Sequence, residues 1–253
     1  MSISVNDFFA PISFNDTIDD DAYKQVDLLI NYLESISEIT YQSIYLVDYY
    51  KRTFLYVSRN PLFLCGRTPG EVLRYGYQFY FKHVPNDDLE MLLKINEAGF
   101  SFFKLIPKED RMKYSISYDF HLRQPAGNLV LVNHKLKPLL LDEYSNPWIV
   151  LCLVSASPHS SPGNVQFRSN ELQKRYDYDI SKNAWEAATI TKLNRREKEI
   201  LILTAQGYTI AQIASKLFIS IDTIKFHRKN TFNKLGVKRI SEALSTAIEQ
   251  SLI

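Results

Sequence analysis

The stretch from Leu193 to Leu252 constrains this chain most, because it carries the start and stop signals of four short helices in close succession. Asn194 is followed three positions on by Glu197, so each side chain can satisfy the other's free backbone N–H at a helix start. Leu201, Leu203 and Ala205 continue that helix until Gly207, which suits a left-handed exit. Thr209 and Gln212 repeat the capping pair, and Ile210, Ile213, Ala214 and Leu217 recur at i, i+3, i+4 and i+7. Ala214 is small where the next helix must approach closely. A tight turn at Phe218-Ile219-Ser220 precedes a third helix, which Ser220 caps and Gly236 stops after Leu235. Ser241 is the expected cap of a fourth, with Ala243, Leu244, Ala247, Ile248 and Leu252 as its apolar side. Two helices joined by a turn of three or four residues are how a protein sets one helix into the major groove of DNA.

On a helical wheel at about 100° per residue, Ile224, Thr231 and Leu235 share one side of the third helix, with Phe232 at its margin. These residues are expected to pack on the other helices. Asp222, Lys225, Phe226, Lys229, Asn230 and Asn233 fall opposite. Lysine can donate to guanine O6 and N7, asparagine can pair with adenine, and Phe226 can touch a thymine methyl. The competing reading is a solvated charged face on an ordinary helix; the preceding helix, turn and caps weigh against it.

The charge distribution agrees. From residue 190 onward eleven Lys/Arg face five Asp/Glu, a net +6, whereas the whole chain carries +2 and residues 1–189 therefore −4. A basic end on an acidic body suits phosphate contact, since each neutralised phosphate releases counterions. Charge of this size is also ordinary for a solvated surface and does not decide the matter alone.

The run Leu193-Asn194-Arg195-Arg196-Glu197-Lys198-Glu199-Ile200-Leu201, then Gly207, Ile213-Ala214, Leu217, Ser220, Thr223-Ile224-Lys225, His227 and Lys234-Leu235, closely resembles the LuxR-type helix-turn-helix domain. The resemblance covers about a quarter of the chain. It implies a bacterial transcription regulator whose third helix reads DNA and whose fourth often mediates dimer contact. By position, it assigns Lys225, Phe226 and Lys229 to the groove, and Thr209, Ser220, Thr223 and His227 to the phosphates. Two positions depart from the pattern. Gln212 stands where glutamate is usual and still works as a cap partner. Arg228 stands where an aliphatic residue is common, on the packing side of the wheel; it is read as snorkelling along the core with its head at a phosphate. His227 has a second reading as a structural hydrogen-bonding residue.

At 253 residues the chain has room for two domains, each with its own core, and its 31 Phe and Tyr residues can fill a substantial one. Cys65 and Cys152 are the only cysteines, which is not a disulfide framework and fits a reduced, cytoplasmic setting. Trp148 to Val154, the longest clean apolar stretch, is too short to span a bilayer. Met1 to Asp21 carries Asp7, Asp16, Asp19, Asp20 and Asp21 and no basic residue, so it does not read as a signal peptide. Asn15-Asp16-Thr17 matches a glycosylation sequon and is taken as chance.

Between those ends the pattern is α+β. Val26, Leu29, Ile30, Leu33 and Ile36 mark an amphipathic helix. Ser43 to Val47 and Thr53 to Ser58 read as strands around a turn at Tyr50-Lys51. Short helices follow near Pro61-Leu64 and Pro69-Leu73, then a longer one from Asp87 into the Phe102 region. Tyr114 to Arg123, Leu129 to Leu136 and Trp148 to Ser155 complete five strands. The phrases Leu55-Tyr56-Val57-Ser58-Arg59-Asn60, Leu64-Cys65-Gly66-Arg67-Thr68-Pro69-Gly70-Glu71-Val72-Leu73 and Val84-Pro85-Asn86-Asp87-Asp88-Leu89 resemble those of PAS domains, over about half the chain. That resemblance implies a module that binds a small molecule, a cofactor or another protein and passes the event onward.

The cofactor is left unknown, with flavin and haem both disfavoured. The Asn-Cys-Arg-Phe phrase of the light-sensing branch is absent, and Cys65 sits in a different phrase. Haem would need an axial ligand, for which His83 is the one well-placed candidate, and a lone histidine is more often structural. Phe79, Tyr80, Phe81, Phe100, Phe102 and Phe103 are read as core before pocket. Enzyme and metal motifs are missing: there is no phosphate loop, no His-Glu-x-x-His and no Cys-x-x-Cys. Asp19-Asp20-Asp21 and Asp87-Asp88 suit helix starts, where carboxylates offset the positive dipole end.

The sequence therefore predicts an acidic N-terminal segment (1–21), a PAS-like five-stranded antiparallel domain with helices (22–156), a connecting segment (157–188) holding one or two short strands, and an all-α four-helix LuxR-type domain (189–253). The predicted function is sequence-specific binding of double-stranded DNA as a homodimer by a non-enzymatic regulator. A small-molecule ligand and RNA polymerase are the further partners admitted, and a membrane is not. The alternative is a sensor or interaction module whose helical tail docks a protein.

Overall fold

A computed structural model describes residues 3–14, 17–250 and 252–253, so two residues of the Asn15-Asp16-Thr17 sequon lie outside the described residues. The chain divides into two compact units, Met1–Ala188 and Thr189–Ile253. Among the described residues no helix is long and apolar enough to cross a membrane, and no cluster of His, Cys, Asp or Glu could hold a metal.

The first unit is α+β. Strand β1 (Ser43–Asp48) pairs antiparallel with β2 (Thr53–Val57) on one side and β5 (Pro147–Ala156) on the other. Strand β3 (Ser115–Arg123) pairs with β4 (Leu129–Leu141), and β4 with β5, so these five run in the order β2-β1-β5-β4-β3. Four helices lie between β2 and β3: α3 (Pro61–Leu64), α4 (Pro69–Tyr75), α5 (Gln78–His83) and α6 (Asn86–Leu105), followed by a 3₁₀ turn over Lys108–Lys113. This is the PAS-like layout that the sequence predicts, with α5 an additional helix.

All six residues of β1 are buried, because the strand is covered on both faces. Tyr45 and Val47 point into a core shared with α3, α4, α5 and α6. Ile44 and Leu46 point the other way, toward Val26 and Leu33 of α2 (Asp20–Glu38), whose start Asp19 caps by accepting from the Asp21 N–H. This alternation is the period-two geometry of a strand sandwiched between layers. The turn after β1 is held by buried Asp48, which accepts from the Tyr23 hydroxyl at 2.7 Å and from the Tyr50 and Lys51 backbone N–H groups. Cys65 and Cys152 are both buried free thiols.

Two segments differ from their sequence reading. Residues 157–188 carry three strands, β6 (Gly163–Ser169), β7 (Lys174–Asp179) and β8 (Ala184–Ala188), which extend the sheet from β3 to eight strands among the described residues. Gln173 and Asn183 turn the chain at positive φ, and the isolated Trp185 donates from its indole N–H to the Ala98 carbonyl of α6 while packing on Phe102 and Tyr178. The polar, serine-rich approach to β6 hid this extension, because its anchor is a side-chain network. Buried Asp119 of β3 accepts from Asn133 at 2.8 Å, from Asn164 at 2.8 Å and from the His159 ring at 2.6 Å, at the point where β3 and β6 slip register. The acidic start also has a buried part: α1 (Val5–Phe9) places Phe8 and Phe9 against Tyr77 and Tyr80, and Asn96 of α6 donates to the Phe8 carbonyl.

These buried polar groups make the first unit sensitive to mutation and to pH. Asp119→Ala withdraws an acceptor from Asn133 and Asn164, and should cost the first unit about 3 kcal/mol; hydrogen exchange should rise first in β6–β8. Burial pushes the His134 imidazole down to about 3, from the unfolded value near 6.5, and shifts His83 in the same direction. From pH 6.5 down toward 3 the unfolded state therefore binds the additional proton, and stability is lost as pH falls. His134→Phe should flatten urea-unfolding free energy against pH by about 1.4 kcal/mol per unit between pH 6 and 4. An unchanged slope would contradict this assignment.

Candidate nucleic-acid interface

The second unit holds α7 (Arg195–Ala205), α8 (Ile210–Leu217), α9 (Ile221–Leu235) and α10 (Ile240–Glu249). The caps explain the boundaries. Asn194 accepts from the Glu197 N–H at 2.9 Å while Glu197 accepts from the Asn194 N–H at 2.8 Å. Thr209 and Gln212 make the same exchange, and Ser220 accepts from the Thr223 N–H at 3.1 Å. Gly207 and Gly236 both take positive φ just beyond α7 and α9. Phe218 does so too, at φ 55°, which is unusual for an aromatic side chain and sharpens the turn between α8 and α9. The cap of the fourth helix differs from expectation. Ser241 lies inside α10, because Glu242 accepts from the Lys238 and Arg239 N–H groups and starts the helix earlier, with Arg239 at the cap position.

Helix α9 is held along its inward side by two apolar clusters. Ile224, fully buried, packs with Ile200, Ile213 and Ala214. Phe232 and Leu235 pack with Leu193, Leu201, Ala243 and Ala247. Thr231 is buried between them and returns its hydroxyl to the His227 carbonyl at 2.9 Å, within the helix. Lys234, at the end of α9, donates to the buried Glu197 carboxylate at 2.8 Å and to the Lys192 carbonyl. That lysine is committed to joining α9 to the start of α7. The sequence signal for it was the acidic cap partner Glu197, whose second role as a buried charge only the pairing across 37 residues reveals.

The opposite side of α9 is open. Lys225, Phe226, Lys229, Asn233 and Asp222 are exposed, Phe226 to 60%. Thr209 and Ser220, at the starts of α8 and α9, are exposed as well. Asn230, Thr223 and His227 are half-buried or border the face. The His227 ring stands edge-on to Phe226, with its Nδ1 buried and without a hydrogen-bond partner. The Arg228 guanidinium lies 5.9 Å from the centre of the Phe232 ring, one turn along its own helix.

The face is not purely cationic. Asp222 sits 3.2 Å from the Lys225 ammonium, both well exposed, so the pair is worth little to stability. Lys229 makes no ion pair among the described residues. Sequence reasoning did not single out Phe218, which is 94% exposed, or the half-exposed Ile221 beside it. A lone aromatic in a turn gives no periodic signal, and only its backbone conformation shows that it points away from the core.

Residues 191–247 match the family model described as bacterial regulatory proteins, luxR family. Among curated proteins, the oxygen regulatory protein NreC of Staphylococcus aureus is 41% identical over 61 residues, which is 24% of this chain and 28% of NreC. The chain thus spans little more than a quarter of the length of that relative. Among solved structures, the response regulator ChrA of a haem-sensing two-component system is 41% identical over 26% of this chain and 33% of ChrA, with a TM-score of 0.25. VqmA of Vibrio cholerae covers 88% of each chain at 14% identity, with a TM-score of 0.31. The family match falls on the four-helix unit. Residues 191–247 form a helix-turn-helix domain of the luxR family of bacterial regulatory proteins.

Proposed function

We propose that this chain is a DNA-binding transcription regulator in which α9 enters the major groove and the α+β unit receives a signal. The carrying observation is the two-sidedness of α9: Ile224 and Thr231 are buried, while Lys225, Phe226, Lys229 and Asn233 stand together in solvent. Lys225 and Lys229 are one helical turn apart and would donate to guanine edges or phosphates, Asn233 would read adenine, and Phe226 would meet a thymine methyl. Asn230 would contribute from the border of the same face. Thr209, Ser220 and Thr223 lie at the starts of α8 and α9, where free N–H groups and the helix dipole favour phosphate oxygens, and His227, in the second turn of α9, would reach a phosphate with its ring. Binding as a homodimer fits this reading, because one short helix contacts too few base pairs and half-sites a helical turn apart supply the rest. Contact with RNA polymerase and a cytoplasmic location belong to the same proposal.

Lys225→Ala combined with Lys229→Ala should abolish sequence-specific retention in a gel shift while leaving the circular dichroism spectrum unchanged. Removing a lysine that reads a base should cost about 1–3 kcal/mol of binding. Full retention by the folded double variant would overturn the assignment. Asp222→Asn removes the negative charge beside Lys225 and frees that lysine, so random duplex DNA should bind about two- to fivefold more tightly at low salt; weaker binding by the folded variant would place Asp222 in DNA recognition instead.

A second reading has one observation in its favour. Phe218, Ile221 and Phe226 expose apolar surface in the turn and first half of α9, which suits docking a protein partner. Salt separates the two. Phosphate contact makes affinity fall steeply with ionic strength, whereas apolar docking responds little.

A further inference from the structure

Helix α6 has a solvent side, opposite the buried Leu92, Ile95, Gly99 and Phe103. Lys94, Glu97, Ser101 and Leu105 are exposed and recur at i, i+3, i+7 and i+11, so they form one ridge along that side. The turn joining β7 to β8 stands beside the ridge, and between the two runs a surface cleft of about 630 Å³. Its far wall is Tyr178, Ile180, Asn183 and Trp185. The volume is that of a small-molecule site, for which about 300–1,000 Å³ is usual. The wall is rigidly placed. The Trp185 indole N–H donates to the Ala98 carbonyl at 3.3 Å, and its ring lies 4.8 Å from that of Phe102 and 5.0 Å from that of Tyr178.

Two charges of opposite sign line the cleft one helical turn apart, the Lys94 ammonium and the Glu97 carboxylate. Among the described residues neither makes an ion pair or a side-chain hydrogen bond. Lysines elsewhere in the chain that pair at this spacing follow their carboxylate and close on it, as Lys24 does on Asp21 and Lys113 on Asp110. Here the lysine comes first, the less favourable order on a helix, and the two heads stay apart. Burial, together with the Glu97 carboxylate, pushes the Tyr178 hydroxyl above its ordinary range, so that negative charge acts on the cleft side of the ridge. The Tyr178 hydroxyl donates to the side-chain carbonyl of Asn183, which leaves the amide N–H groups of Asn183 free. A second cleft, of about 460 Å³ on the α1 side, shares Lys94, Glu97 and Ser101 but has no aromatic wall.

We propose that the cleft between α6 and the β7–β8 turn binds a free amino acid with an apolar side chain. Lys94 takes its carboxylate, Glu97 takes its ammonium, and the side chain lies along Phe102, Ile180 and Trp185. A molecule carrying both charges on one carbon satisfies both heads at once, and each contact is a charge-assisted hydrogen bond. An anion alone would meet the Glu97 carboxylate, and a cation alone would meet the Lys94 ammonium. A neutral molecule would displace water from both heads and return no charge to either. The aromatic wall selects this cleft over the one beside α1. The assignment goes beyond the DNA-binding reading and stands apart from it, since no residue of the second unit takes part.

L-phenylalanine, phenylpropionate and phenylethylamine provide the test, since they share a ring and carry both charges, the negative one only and the positive one only at pH 7. Trp185 lines the cleft, whereas Trp148 is buried against α2, so the intrinsic fluorescence of the full chain reports occupancy. L-phenylalanine should shift that fluorescence saturably, and each singly charged probe should bind about fivefold more weakly. Glu97→Gln should weaken L-phenylalanine about fivefold and leave phenylpropionate no weaker. Lys94→Gln should do the same to L-phenylalanine and leave phenylethylamine no weaker. Both positions are exposed, so the variants should fold as the parent does. Trp185→Phe should abolish the fluorescence response. Absence of saturation by L-phenylalanine at about 10 mM, equal binding of the three probes, or undiminished L-phenylalanine binding by either charge variant would each overturn the proposal. A response that survives in Trp185→Phe would place the ligand elsewhere and overturn it too.

Discussion

Helix α9 has one rotational setting available to it. Ile224 and Thr231 occupy the interior, and a rotation by a single residue, about 100°, would carry Lys225 into the cluster and strand an ammonium in apolar surroundings. The Lys234–Glu197 pair fixes the far end of the helix against α7, with the carboxylate buried and also serving the α7 cap. Every property of the candidate interface depends on that setting. Lys225 and Lys229, one turn apart, share the outward face because the helix is locked with Ile224 and Thr231 inside.

The α+β unit relies on buried polar groups in a different manner. Asp119 is one carboxylate that serves β4 through Asn133, and the approach to β6 through Asn164 and His159. It thereby ties the strands added beyond β3 to the five central ones. A buried charge fixed by several donors is expensive to break from any side, so the extension behaves as part of the sheet and not as a tether. Trp185 adds the apolar half of the same attachment by lying on α6.

Much of the architecture was legible in the residues. The five central strands, most of the helices between β2 and β3, and the first three helices of the second unit stand where alternation, 3.6-residue periodicity and capping pairs put them, while the fourth starts ahead of its expected Ser241 cap. These signals are local, and local backbone preferences dominate where a cap or a turn decides the matter. The outward face of α9 was legible for the same reason, because an amphipathic wheel depends only on spacing. Asn230 and His227 were placed less sharply; a wheel gives direction but not depth, and their partial burial depends on neighbouring helices.

What the residues did not disclose depends on partners far apart along the chain. The strands β6–β8 are short and polar; one or two strands were legible in this segment, but the third, and the hold that Asp119 and Trp185 keep on them, were not. The burial of Phe8 and Phe9 within an acidic beginning requires the tyrosines at and just before α5, about seventy residues away, to be in place. The union of Tyr45, Tyr80, Tyr118, His134 and Cys152 around one space draws on several strands and a helix. Sequence by itself determined the caps, the periodicities, the order of elements and the basic helix, since each is written within a few neighbouring residues. Tertiary structure alone decided which polar side chains would be buried together and where space would remain, because burial and volume are properties of packing between distant segments.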